Sequence, residues 1–310
     1  MRAAALAVVL AAAAAPAQPQ WHAAVHVPGI VDVVRLPGGA IAVSTRTGLF
    51  RVVSTGLTPF AQTYKPTNGG EQYATAVAPT RTATCAWNAD DVFVLDASGA
   101  PGIFRVPRDG VASRFFDFPQ GSFPSGITWD AGGRFGHRLL VTVVVKNATT
   151  LYAVDCRGRG AVLGRGGPRV EGGIVVAPRS FGRFGGRLIA ASELTGIIYA
   201  FDPRGHAAIV ARPRARSGPD LGVESLGFAP AGVRNAYLAD LGAPGAPTEG
   251  TDSLLVLRPN VKAGTLVAAT EGGATTIAVR CARVCTSRRI ADGPAATHAE
   301  GHVVFGRIAS

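Results

Sequence analysis

Hydrophobic residues fall along this chain in short runs, alternating or continuous, closed by Gly, Pro, Asp or Asn. Beyond the first sixteen residues no window sustains a helical period. Segments such as SGITWD (125–130), GGIVVAP (172–178), ESLGFAP (224–230), RLLVTVV (138–144), RLIAAS (187–192) and AYLADL (236–241) are rich in Val, Ile, Leu and Tyr, the residues that fit a pleated, half-buried surface. The pattern predicts an all-β fold. It excludes a parallel α/β sheet, which needs helical stretches between its strands.

The runs also repeat. GRFGHRLLVT (133–142) and GRFGGRLIAA (182–191) share six of ten residues, and LYAVDCRGRGAVL (151–163) and IYAFDPRGHAAIV (198–210) share six of thirteen in the same order. Related phrases begin at Gly48, Gly102, Thr150, Ile197, Ser253 and His302, a spacing of roughly 50 residues that belongs to propellers. The prediction is a six-bladed β-propeller of four antiparallel strands per blade. The last unit, TTIAVRC, CTSRRIA and HVVFGRI, supplies only three strands. WHAAVHV (21–27), the N-terminal strand of the mature chain, is expected to pair with HVVFGRI as the missing outer strand and close the ring. A length of 310 residues alone suggests two domains, but one ring accounts for residues 18–310 as a single domain.

Composition changes this picture in three places. Only 16% of residues are charged against a usual ~25%, which suits turn-rich β structure. The formal net charge is +11, yet the arginines are scattered, the densest groups being Arg212, Arg214 and Arg216, then Arg280, Arg283, Arg288 and Arg289. Neither group has interleaved aromatics, so a solvated basic surface is expected and no specific nucleic-acid partner. Arg2, the apolar stretch to Pro16 and Ala15-Pro16-Ala17 together read as a cleaved secretory signal peptide over residues 1–17. No later run is long enough to span a bilayer. A secreted or periplasmic monomer follows as the expectation, in a compartment that permits disulfides. The four cysteines allow three pairings. Cys281 and Cys285 flank a tight turn, and Cys85 and Cys156 fall in connections of neighbouring blades at one end of the ring, so Cys281–Cys285 and Cys85–Cys156 are the expected pairs.

PSGITWDAGGRFGHRLLVT, ESLGFAPAGVRNAYLAD and IIYAFDPRG resemble the blade phrases of the NHL-like and gluconolactonase–regucalcin (SMP-30) propellers, over nearly the whole mature chain. In the gluconolactonase group, the resemblance implies, a divalent metal sits at the top of the channel. A Glu opening the first inner strand, Asn residues and an Asp ending a later second strand hold it. Asp240, ending AYLAD, matches that Asp. The first blade opens PGIVDVVRL with no Glu, and no matching Asn pair is evident.

Propeller geometry brings inner-strand starts and the ends of second strands to one face. On this reading Glu71, Glu171, Glu224 and Glu271 open inner strands, Glu193 and Asp240 end second strands, and His298 and Glu300 lie in a loop of the last blade. Glu171, Glu193, Glu224 and Asp240 are the candidate metal ligands, with Glu71, Glu271, His298 and Glu300 around the same mouth. Clustered oxygens suit Ca²⁺, Mg²⁺ or Mn²⁺. Other chemistry finds less footing. HAEGH (298–302) is not the helical HExxH zinc arrangement, Ser125 and Ser225 lack the G-x-S-x-G elbow, and NADD (88–91) falls short of an EF-hand loop. The expected function is binding of a small molecule or protein partner at this mouth. The rivals are a metal-dependent hydrolase of the lactonase type and a quinone-dependent sugar dehydrogenase, the latter without a cofactor signature.

Overall fold

A computed structural model describes residues 19–61, 64–66, 71–89, 91–97, 99–107 and 111–309. The expected signal peptide (1–17) lies outside them, as does Asp90 of the NADD segment. The first strand is β1 (His22–His26). Strands β2 (Ile30–Arg35), β3 (Ile41–Thr45), β4 (Gly48–Val53) and β5 (Gly56–Pro59) form an antiparallel sheet in chain order. In the next, β6 (Ala74–Ala76), β9 (Val92–Asp96), β10 (Gly102–Val106) and β11 (Ser113–Asp117) pair in succession, with a short hairpin of β7 (Thr80–Arg81) and β8 (Ala86–Trp87) inserted after β6. A third sheet holds β12 (Phe123–Trp129), β13 (Leu139–Val145), β14 (Ala148–Val154) and β15 (Gly160–Gly167), and a fourth β16 (Glu171–Val176), β17 (Leu188–Ser192), β18 (Ile197–Phe201) and β19 (Ala207–Ala211). The protein is an all-β propeller.

The remaining strands depart from the expected order. They are β20 (Val223–Phe228), β21 (Ala236–Asp240), β22 (Ser253–Leu257), β23 (Leu266–Thr270), β24 (Thr276–Cys281), β25 (Cys285–Ala291) and β26 (Ala299–Phe305). With β1 they make one eight-stranded sheet in the order β1-β22-β21-β26-β20-β23-β24-β25. So four of the six expected units stand as separate four-stranded sheets, and the rest of the ring is continuous. ESLGF does not pair with the following AYLAD: β20 pairs with β23, and β21 with β26. HVVFG is likewise not a third strand. It lies between β21 and β20, buried along its whole length. The N-terminal strand therefore pairs with β22 (His26 opposite Ser253) and not with HVVFGRI. The physical reason is that AYLAD and LVAAT are equally short and apolar, and each is buried at every position. Burial pattern cannot say which of two such strands lies beside ESLGF.

The repeated phrases have physical jobs. Phe135 and Phe184, each at the same place in GRFG, are 1% and 2% exposed. Phe135 packs with Leu188, Ala190 and Phe201 of the next sheet, and Phe184 with Leu266 and Val279 of the one after. Each wedge stabilises its sheet-to-sheet contact by about 1.5–3 kcal/mol. In the D-x-R-G turns, Asp155 Oδ1 accepts from the backbone N–H groups of Arg157 and Arg159, and Asp202 Oδ1 from those of Arg204 and His206. These Asx turns fix the reversal into the outer strand. Both expected disulfides are present, Cys85–Cys156 and Cys281–Cys285. Among the described residues no helix is long and apolar enough to cross a membrane.

Candidate functional site: an acidic channel end

Strands β2, β6, β12, β16, β20 and β26 lie against one another around the centre of the molecule. Their starts carry polar residues into that centre through local bulges. The ladder register shifts between Ile30 and Asp32, between Pro124 and Gly126, between Glu171 and Val175, and between Val223 and Ser225. A bulge turns a side chain out of the alternation and re-aims it. Two glycines make the packing possible. Gly172 (φ 79°) and Gly301 (φ 65°) follow Glu171 and Glu300 in the left-handed region. A Cβ at Gly172 would collide with Glu224 Cγ, and one at Gly301 with the Asp32 carboxylate.

The expected acids converge, in a grouping of their own. Glu71, Glu224 and Glu300 meet at the phenol of Tyr73: its Oη lies 2.6 Å from Glu71 Oε2, 2.8 Å from Glu224 Oε1 and 2.9 Å from Glu300 Oε2. His298 bridges onward. Its Nδ1 donates to Thr248 O at 2.8 Å, and its Nε2 lies 3.0 Å from Glu271 Oε1 and 3.5 Å from Glu300 Oε1. Glu193, Asp220 and Glu271 form a third group. Glu171 stands beside them, paired with Arg169 at 3.0 Å.

Two assignments need correction. Glu171, Glu193, Glu224 and Asp240 do not form one ligand set. Asp240 is instead used up locally, its Oδ2 accepting from Thr251 Oγ1 at 2.5 Å and its Oδ1 from the His298 N–H at 2.8 Å. Glu271 follows second strand β23 and does not open an inner strand, while Glu300 lies within central strand β26 and His298 just precedes it. Loop and strand-start roles are exchanged because β26 is central. His302 lies within β26 and is buried.

Electrostatics follow from burial and crowding. Burial, then the neighbouring Glu300, pushes Glu71 and Glu224 well above the ordinary carboxyl range. Burial likewise raises Glu171, against the pull of Arg169, and raises Glu271. Glu193 is raised to about 7 by burial and by Glu271. At His298 burial opposes the charged ring, but hydrogen bonds to Glu271 and Glu300 overcome it and lift the pKa to about 10. The two glutamates thus favour the charged form of the His298 ring that lies between them.

A second buried pair holds the centre. Asp32, fully buried, lies 2.8 Å from His302 Nδ1 and also accepts from the N–H groups of Val33, Ala74 and His302. His302 Nε2 donates to Ile174 O at 3.0 Å. Together these two residues tie β2, β6, β16 and β26.

Sequence reasoning missed Tyr73, Asp32, Asp220 and Arg169. Tyr73 was findable: it stands two residues after Glu71, and in extended chain i and i+2 share a face. Asp32 was signalled by a lone acid inside IVDVV, an otherwise apolar strand. Asp220 and Arg169 sit in loops and leave no such mark.

No protein-family model matches the chain, and no curated protein sequence matches it. Among solved structures it is similar to a streptogramin B lyase, at 12% identity over 91% of this chain and 89% of that one, TM-score 0.49. It is similar also to a virginiamycin B lyase from Staphylococcus aureus, at 12% identity over 84% of each chain, TM-score 0.46. A protein provisionally described as a gluconolactonase aligns at 14% identity over 80% of this chain and 94% of that one, TM-score 0.40. At these identities and TM-scores the likeness is one of architecture, and no residue role passes across it.

Proposed function

We propose that this chain is an exported, single-domain six-bladed propeller, monomeric, whose acidic channel end holds a divalent cation and through it binds a small molecule or protein partner. One observation carries the reading. A phenol has one proton to donate and two lone pairs, yet three carboxyl groups lie within 2.9 Å of Tyr73 Oη. Only one of them can accept the phenol proton. The others must bring protons of their own or share a cation.

The donor set fits a cation of calcium's size. Two oxygens each ~2.3–2.6 Å from Ca²⁺ stand at most ~4.6–5.2 Å apart, and the candidate atoms of Glu71, Glu224 and Glu300 lie within 4.8 Å of one another. Glu271 Oε2 adds a buried carboxylate oxygen with no hydrogen-bond partner, on a residue 3% exposed. Bound there, a cation would supply positive charge able to polarise an oxygen-bearing ligand. Glu71, Glu224 and Glu300 would hold it, with Glu271 and His298 shaping its charge.

The strand order supports six blades. A single parallel pairing, Leu226 with His302, joins β1-β22-β21-β26 to β20-β23-β24-β25. Read as two blades fused along their inner strands, these complete the ring, with β1 as the closing outer strand beside β22. The two disulfides support an oxidising compartment. Elemental analysis of the purified protein tests the cation reading: about one equivalent of Ca, Mg or Mn that Glu224→Gln removes supports it, and metal-free protein that takes up none on dialysis against each ion rejects it.

A further inference from the structure

The acids occupy one end of the channel, and the starts of the central strands carry them. At the opposite end a cavity of about 980 Å³ opens, walled by the last residues of those strands, from Val34, Ala76, Val176 and Phe228 to Phe305, with His302 at its floor. Its volume is that of a site for a drug-sized molecule.

Its chemistry is one-sided. No Asp or Glu lines it, whereas Arg35, Arg134 and Arg179 do. All three guanidinium-bearing residues are exposed, and none has an ion-pair partner among the described residues. Elsewhere Arg105, Arg114, Arg159, Arg169 and Arg289 each pair with a carboxylate. In the wall, the buried indole N–H of Trp129 also lacks a partner. Gly132, Gly133, Gly185 and Gly186 also line the cavity and add no side-chain bulk there.

We infer that this cavity is a second binding site, for a small organic anion with an apolar body and a carboxylate, sulfonate or phosphate head. The body lies against the aliphatic strand ends and Phe228. The head meets the arginines, whose planar forks match such oxyanions. The site is independent of the cation: no residue of the acidic groups lines it.

8-Anilinonaphthalene-1-sulfonate and its uncharged analogue N-phenyl-1-naphthylamine share the rings and differ in the head. Each is titrated into the full mature protein, with emission read directly and by energy transfer from tryptophan. The expected result is saturable one-to-one binding of the sulfonate, about tenfold or more tighter than the neutral amine. It should weaken as salt rises from about 50 to about 500 mM. Arg134→Gln/Arg179→Gln should weaken the sulfonate about tenfold with an unchanged thermal midpoint. Trp129→Phe should cut the transferred emission. Arg212→Gln/Arg214→Gln, on exposed surface elsewhere, and Glu224→Gln should leave binding as it was. Equal affinity for the two dyes, an equal loss from the Arg212/Arg214 pair, or no loss from the Arg134/Arg179 pair would each overturn the site. Loss of metal in Glu224→Gln with dye binding intact separates this inference from the cation reading.

Discussion

His302 Nδ1 and Asp32 Oδ2 meet at 2.8 Å across 270 positions of sequence, both buried. Asp32 draws in hydrogen bonds from three backbone N–H groups as well, so one carboxylate fastens the first central strand, its neighbour β6 and the last central strand. Removing one partner leaves the other charge buried and unpaired, at a cost of about 3–5 kcal/mol. Asp32→Ala should therefore lower stability by that order, and denaturant unfolding measures it. The pair also has a pH signature. Burial opposes the charged His302 ring, and Asp32 overcomes it, so the pKa is raised on folding. The stabilisation is full below the ordinary histidine pKa near 6.5 and is lost as pH rises through the raised folded value.

The acidic end makes a separate prediction. Glu193 is raised on folding to about 7 by burial and by Glu271. A carboxyl raised in the folded state binds more protons there than in the unfolded chain, so stability falls as pH climbs from about 4.5 to about 7. His298, raised to about 10, contributes stability that is complete below about 6.5 and disappears as pH approaches its folded value. The thermal midpoint of metal-free protein should drop across both windows. Glu224→Gln removes one member of the crowd, so it should raise the midpoint of metal-free protein at pH 8. A lowered midpoint there would mean that the carboxylates do not repel.

Trp21 is 1% exposed, donates from Nε1 to Thr276 Oγ1 at 2.7 Å, and its backbone N–H donates to Asp292 O. It anchors the start of β1 onto the far side of the eight-stranded sheet. Trp21→Ala should cost about 3–5 kcal/mol and Trp21→Phe less, about 1 kcal/mol for the lost hydrogen bond plus the cost of the smaller ring's cavity. If Trp21→Ala leaves the midpoint within a degree of wild type, the N-terminal segment does not hold the ring.

The two disulfides should contribute unequally. Cys85–Cys156 spans 71 positions and Cys281–Cys285 spans 4. Chain entropy gives about 4 kcal/mol for the first loop and about 2 for the second. Cys85→Ser/Cys156→Ser should thus destabilise about twice as much as Cys281→Ser/Cys285→Ser in equilibrium unfolding.

How much of this was legible in sequence follows from which forces act locally. The D-x-R-G turns and GRFG wedges are local, so they repeat visibly and locate β13, β14, β17 and β18 well, while the related strand phrases locate β4, β10 and β22. Both disulfides followed from the turn at Cys281–Cys285 and the even cysteine count. The exchange of partners in the eight-stranded sheet was not legible. ESLGF lies next to LVAAT and HVVFG through contacts made over 40 and more positions, and AYLAD offers the same burial pattern. The same exchange hid the ligand grouping. Glu300 reads as a loop residue until β26 is known to be central, and Asp240 reads as a ligand until Thr251 and the His298 N–H are found on it. That acids would gather was readable from their places at strand ends; that Tyr73 would be their meeting point was not read, although its spacing from Glu71 allowed it.

The central claim, that the acids around Tyr73 hold a divalent cation, is tested most directly by titration calorimetry of the chelator-treated protein with Ca²⁺, Mg²⁺ and Mn²⁺ at pH 6 and pH 8. The account predicts one site per chain, tightest for Ca²⁺ and tighter at pH 8, because protons leave the carboxyls as the metal enters. Glu224→Gln/Glu300→Gln should abolish it, and Glu249→Gln, at an exposed position, should retain it. At a hundredfold excess over the dissociation constant the native protein should gain about 2.7 kcal/mol. No heat with any of the three ions at either pH, and no gain in thermal midpoint, would contradict it: the carboxyls at Tyr73 would then hold protons and no metal.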